Sequence, residues 1–214
     1  MMDELELLKG LAKKDNQLPQ LSFDEIYNMI WKKSSSIVKW IFLISIIEFL
    51  VPHLIYFVPS MSKNLAVWKD LGLGNFLLVS SVVQYSVVLF FIFQFYRRYR
   101  EISTLDNAKK LLSNILKTRK IVKYYVLFCL SLIFISFIVM AIGIYLNEDP
   151  MTAMGYNYNS ANISIEKLKA TMIIVVVVAG IIITLIMGCI YFLLYGILLK
   201  KLKKNYTELK DMDI

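Results

Sequence analysis

Three stretches of this chain, residues 71–96, 124–147 and 170–199, each run for 24 residues or more without Asp, Glu, Lys or Arg. A fourth, residues 40–59, is interrupted only by Glu48 and His53. About 20 apolar residues in helical form cross a hydrocarbon core roughly 30 Å thick, so the pattern predicts four membrane-spanning helices. The last stretch would be about 45 Å long as a helix and must tilt or project beyond the lipid. Ser60-Met61-Ser62 resembles a signal-peptide cleavage site, but the apolar run before it is too long for that purpose and a long polar segment precedes it. The first span is therefore read as retained.

Composition becomes informative once charges are sorted by side. The chain is 58% hydrophobic, yet 24 Lys and Arg against 16 Asp and Glu leave a net charge of +8. Twenty of the 24 basic residues fall before residue 40, between 97 and 123, or after 199. Short basic loops stay in the cytoplasm, so both termini are expected there. The basic balance then reflects insertion beside an anionic inner leaflet, and no nucleic-acid partner is expected. Trp40, Tyr96, Tyr124, Tyr125 and Tyr195 fall at the inner interface; Tyr56, Trp68 and Tyr145 fall at the outer one.

The predicted fold class is an all-α membrane protein, a bundle of four transmembrane helices in up-down-up-down order. A cytoplasmic amphipathic segment spans residues 1–39, the membrane domain 40–199 and a cytoplasmic tail 200–214. Within the membrane domain, the spans cover about 40–59, 71–96, 124–147 and 170–199, with a basic cytoplasmic loop at 97–123 and an outer loop at 148–169. The outer loop, with Asn157, Asn159 and Asn162 alternating with Tyr156 and Tyr158, reads as irregular surface structure.

The cytoplasmic segments carry helical stripes. Leu5, Leu8, Leu11 and Ala12 form one; after a break at Asn16–Pro19, Ser22 and Glu25 have the spacing of a capping box. The helix that follows presents Phe23, Ile26, Tyr27 and Ile30 on one face, the pattern of a helix lying on the membrane surface or docking a partner. In the basic loop, Leu105, Leu112 and Ile115 make a second stripe beside Lys109 and Lys110, suited to capping the bundle, lipid headgroups or a partner groove.

Polar residues inside the spans are costly and are the natural place to look for function. Glu48, Gln84, Ser136 and Thr184 lie near the midpoints of the four spans, with Ser80 and Ser81 one turn from Gln84. Gln84 is the expected partner of Glu48. Pro52 lacks an amide hydrogen and removes the helical partner of the Glu48 carbonyl, which predicts a bend. His53 reads as a packing or headgroup-level residue. The polar layer reads first as glue between helices and second as a transport site. Gly180, Thr184 and Gly188, spaced by four, and Cys129, Ser136 and Gly143, spaced by seven, mark narrow packing faces for one bundle or a homo-oligomer. The two cysteines read as inert apolar residues.

The segment Leu21-Ser22-Phe23-Asp24-Glu25-Ile26-Tyr27, continued by Lys32-Lys33-Ser34-Ser35-Ser36-Ile37-Val38-Lys39-Trp40, resembles an uncharacterised Bacteroidetes family of small multi-span inner-membrane proteins. Some members of such families carry the label beta-carotene monooxygenase. That activity in its propeller form uses four histidines on iron, whereas His53 is the only histidine here. No HExxH, Walker, GxSxG or GxGxxG pattern occurs, so no cofactor or metal is expected and the chain reads as non-enzymatic. The expected role is an accessory or regulatory subunit of a membrane complex, acting through lipid, protein partners or a second copy. A small transporter or channel built on Glu48 and Gln84 is the alternative, and an intramembrane oxygenase the third reading.

Overall fold

A computed structural model describes residues 22–55, 61–103, 108–155 and 164–211. The Leu5–Ala12 stripe, Leu105, and the Asn and Tyr residues between 156 and 163 lie outside these residues. Among the described residues every regular element is helical. In chain order these are α1 (Phe23–Ile55), α2 (Met61–Asp70), α3 (Gly74–Ser103), α4 (Ala108–Leu146), α5 (Pro150–Ala153) and α6 (Ile165–Tyr191). A π-helical turn (Phe192–Gly196) follows, and then α7 (Ile197–Lys210). The four long rods α1, α3, α4 and the continuous α6–α7 are each apolar and long enough to cross a membrane. They form a four-helix bundle.

Local chemistry sets the helix ends. At the start of α1 the Glu25 carboxylate accepts the Ser22 backbone N–H at 2.8 Å, and the Glu25 N–H donates to the Ser22 hydroxyl at 3.3 Å, so the capping box forms. After α2, Gly72 has φ +78°, and the N–H groups of Gly72 and Leu73 return to Lys69 and Trp68. This left-handed closure needs glycine, because a side chain at that φ would crowd its own backbone. At the start of α5, Asp149 caps Thr152 through its backbone N–H and its hydroxyl.

The rods extend beyond the apolar stretches, which changes two expectations. The amphipathic helix at Phe23–Ile30 does not lie on the membrane surface as a separate piece; it is the opening of α1, 33 residues long. Ile30 is buried and Ile26 packs against the core. The basic loop also contracts, since α3 continues to Ser103 and α4 begins at Ala108. The physical reason is shared: an apolar stripe is satisfied by neighbouring protein as well as by lipid, and all four rods project far enough at this end to supply neighbours. Ile30 and Ile115, expected as docking residues, are consumed by the chain's own core, and Leu112 is partly so. Phe23, Lys109 and Lys110 remain exposed.

The core sits toward this basic end. Ile41, Phe95, Ile102, Leu111, Ile115, Val122, Leu202 and Leu209 are wholly buried. Polar ties join the same region. Trp31 on α1 donates its indole N–H to the Ile102 carbonyl on α3 at 2.7 Å. Arg98 on α3 bonds Glu101 at 2.6 Å and the buried Asn114 on α4 at 3.0 Å. Asn205 on α7 donates to Ser34 on α1 at 3.0 Å, with both side chains buried.

At the opposite end few large side chains are wholly buried, and close approach depends on small residues. A Cβ on Gly180 of α6 would lie 2.6 Å from the Phe137 Cβ on α4, and one on Gly143 of α4 would lie 2.7 Å from a Leu73 methyl. Both glycines permit close approach of neighbouring segments. Gly188 has ordinary clearance, 3.9 Å from Leu130. The Asn147 side chain donates to the Asp70 carbonyl at 3.0 Å, and Lys169 donates to the Asn147 carbonyl, joining the ends of α2, α4 and α6.

Candidate functional site

Glu48 is the acidic side chain inside the first apolar stretch, and its carboxylate is held by the last rod. Tyr191 donates its hydroxyl to Oε1, and Tyr195 donates its hydroxyl to Oε2 at 2.9 Å. The expected partner, Gln84, does not fill that place. The two tyrosines flank and enter the π turn, with rings stacked 6.0 Å apart at 24°. A π turn inserts one residue into a helical ladder and is found disproportionately at working sites. Here it begins directly after one donor, Tyr191, and contains the other, Tyr195.

An aromatic shell surrounds the carboxylate. Tyr125 of α4 meets Tyr195 edge to face at 5.9 Å and Tyr191 at 6.5 Å. Phe91 and Phe95 of α3 pack on Tyr125 at 5.4 and 5.6 Å. Tyr125, Tyr191 and Tyr195 are almost completely buried. Their rings supply apolar bulk, and the Tyr191 and Tyr195 hydroxyls deliver the hydrogen bonds that a carboxylate at membrane depth requires.

Beside this cluster lies a cavity of about 280 Å³, bounded by all four rods. Glu48 and Phe49 line it from α1; Ser81, Gln84 and Tyr85 from α3; Tyr125, Phe128 and Cys129 from α4; Tyr191 from α6. Phe49 and Tyr85 meet edge to face at 6.1 Å. Of the polar residues expected together at the midplane, the fold therefore gathers Glu48, Ser81 and Gln84 around one space. Ser80, Ser136 and Thr184 are not among its walls. The hydroxyls of Ser80 and Ser81 return to the Leu77 carbonyl and that of Ser136 to Leu132. The Thr184 hydroxyl is buried without a partner among the described residues. Pro52 falls in the last turn of α1, and the side chain of His53 lies outside the described residues. Cys129 is partly buried and Cys189 exposed; both are free thiols.

The tyrosine pair was not expected from the sequence as a partner for Glu48, although a signal for it exists. Ser34 and Glu48 are 14 residues apart on α1, and Tyr191 and Asn205 are 14 apart on the antiparallel rod. Once Ser34 meets Asn205, equal spacing brings Glu48 level with Tyr191. Choosing Thr184 as the midpoint of the fourth stretch placed that rod about two turns out of register.

Among the described residues no group of three or more His, Cys, Asp or Glu could hold a metal ion. The arrangement can accept hydrogen bonds and balance positive charge. No curated protein and no solved structure matches the chain. A family model does match, across residues 24–214, and its description is a domain of unknown function, DUF8845. With most of its length covered by that model, the chain belongs to the DUF8845 family.

Proposed function

We propose that this chain is a non-enzymatic, multi-pass protein of the bacterial inner membrane, with both termini cytoplasmic, that binds a small organic cation at Glu48. One observation carries the reading: the Glu48 carboxylate opens on a 280 Å³ cavity with aromatic walls. A carboxylate supplies full negative charge, and Phe49, Tyr85, Tyr125 and Phe128 bring ring systems whose negative faces attract ammonium groups. In a low-dielectric setting both attractions strengthen. The Tyr191 and Tyr195 hydroxyls keep the carboxylate satisfied while no cation is present, which lowers the cost of the empty state. Ser81 and Gln84 add neutral polar contacts on the far wall. The volume sits just below the usual range of roughly 300–1,000 Å³ for drug-sized ligands, in keeping with a small ammonium. An ionisable site at this depth suits a transporter or channel.

Purified full-length protein titrated with tetramethylammonium tests the reading. Saturable stabilisation against heat is expected, weakened about tenfold or more by Glu48→Gln, which keeps size but removes the charge. Binding that is absent, or indifferent to Glu48→Gln, sinks it.

A second reading is the accessory or regulatory subunit, supported by the helical end that carries Ile102, Leu111, Leu202 and Leu209 beyond the apolar stretches. A rigid platform of this kind presents Phe23 and Lys110 to a partner or a second copy. Phe23→Asp combined with Lys110→Glu alters that surface at two exposed positions. Loss of a co-purifying subunit in the double variant supports this role, and an unchanged complex counts against it.

A further inference from the structure

A second concave site lies between α1 and α7, away from the Glu48 cavity and lined by different residues. It encloses about 510 Å³. Lys32, Lys33 and Ser36 line it from α1, and Lys201 and Lys204 from α7. Its one acidic wall residue, Glu208, is already engaged by Lys204 at 3.6 Å. Four ammonium groups therefore face one partly neutralised carboxylate.

The site is built by the fold rather than left by chance on a basic surface. The buried hydrogen bond between Asn205 and Ser34 fastens α1 to α7 beside the groove, and Asn205 also lines it. Helical spacing does the rest. Lys32 and Ser36 are four apart, Lys201 and Lys204 three apart, so each pair shares a face. Ile37 provides an apolar wall toward the spans.

Depth identifies the occupant. Lys201 lies two residues past the apolar stretch that ends at residue 199, and Trp40, exposed at the head of the first stretch, lies one turn beyond Ser36. Exposed tryptophan in this position marks the headgroup level. A cavity at that depth with ammonium donors, a hydroxyl and an amide matches phosphate oxygens on its polar side and acyl chains on its apolar side. We infer that the groove between α1 and α7 holds the phosphodiester headgroup of an anionic phospholipid from the surrounding leaflet. The site is independent of cation binding at Glu48, and Glu48→Gln leaves it intact.

Native mass spectrometry of the full-length protein, released from detergent containing phosphatidylglycerol and phosphatidylcholine, tests the inference. The wild type is expected to retain phosphatidylglycerol in preference. Each lysine near an anionic surface contributes roughly a fivefold factor, so combining Lys33→Gln, Lys201→Gln and Lys204→Gln should cut retention by about tenfold or more. Removing the same charge elsewhere, through Lys110→Gln, Lys117→Gln and Lys123→Gln, should change it by less than about twofold. The three groove lysines replaced by arginine should keep the lipid. Should the glutamine variant lose helix content, Ser36→Asp decides, because it sets a carboxylate in the groove at an exposed position and is expected to expel the lipid. Equal loss in the groove and control variants, or no preference in the wild type, overturns the site. Displacement of the lipid by millimolar inorganic phosphate overturns the lipid as its occupant.

Discussion

The basic half of the bundle and the opposite half are made of the same four rods but held by different means. Toward the basic end, large side chains such as Phe95, Ile102, Leu111 and Leu202 are fully buried, and side-chain hydrogen bonds link the rods pairwise. Toward the other end, Val79, Val82, Leu146, Ile174, Val175 and Ile182 are exposed, and close contact is made where glycine permits it. Water drives apolar groups together, whereas lipid is as apolar as leucine and gives no such push. The first half is organised by the hydrophobic effect, the second by shape.

Substitutions can break this contrast. The largest effect is expected from Leu111→Ala, which empties a fully buried site in the basic half and should cost about 3 kcal/mol. It would be read as a lower detergent-denaturation midpoint of the purified protein. Gly180→Val attacks the other half by driving a branched side chain into the base of Phe137, at about 2 kcal/mol. If Gly180→Val were silent, shape would not be what holds the second half. Asn114→Leu removes a partner of the mostly buried Arg98 and should cost about 1–2 kcal/mol in the same assay. Val82→Ala, on the exposed face of α3, is expected to stay within about 0.5 kcal/mol. A large loss there would mean that this face is covered by another protein rather than by lipid.

The smallest effect concerns the cap at Asp149. Hydrogen bonds from Thr152 hold its carboxyl below the ordinary value of 3.8. A depressed folded-state value means that the contribution is present above that ordinary value and fades as the pH falls through the lower one. The protection of the Thr152 amide against exchange, taken relative to its intrinsic rate at each pH, should therefore be unchanged between pH 7 and pH 5 and fall only in stronger acid. Asp149→Asn should flatten that dependence.

The four spans were legible because charge is excluded from lipid, and Glu48 was legible because it is the exception. The capping box at Ser22 and Glu25 was legible because it depends on neighbours three residues apart. What escaped was register. Depth along a 30-residue apolar run has no local marker, so Thr184 was as plausible a midpoint as any and Tyr195 was assigned to the interface instead. The fate of the amphipathic stripes was equally hidden, since Ile30 and Ile115 would look the same against lipid, a partner or their own bundle. Only the matching lengths of α1, α4 and α7 beyond the membrane decide that. Trp31, Arg98 and Asn205 read as ordinary polar residues until the fold gives each a partner on another rod.

The two hydrogen-bonded levels that join α1 to the last rod, Ser34 with Asn205 and Glu48 with the tyrosines, are separated by 14 residues on each side. Two fastenings at a fixed spacing behave like a pair of dowels: either alone would allow one rod to pivot about the other, and together they forbid pivoting and sliding alike. Adding one residue between 35 and 47 would swing Glu48 by about 100° away from its donors while leaving the lower pin in place. The length of this segment is thereby under constraint even where its side chains face lipid. An insertion on one rod is tolerated only with a matching insertion on the other, and the π turn at Phe192–Gly196 is the kind of local loosening through which such a residue can be absorbed.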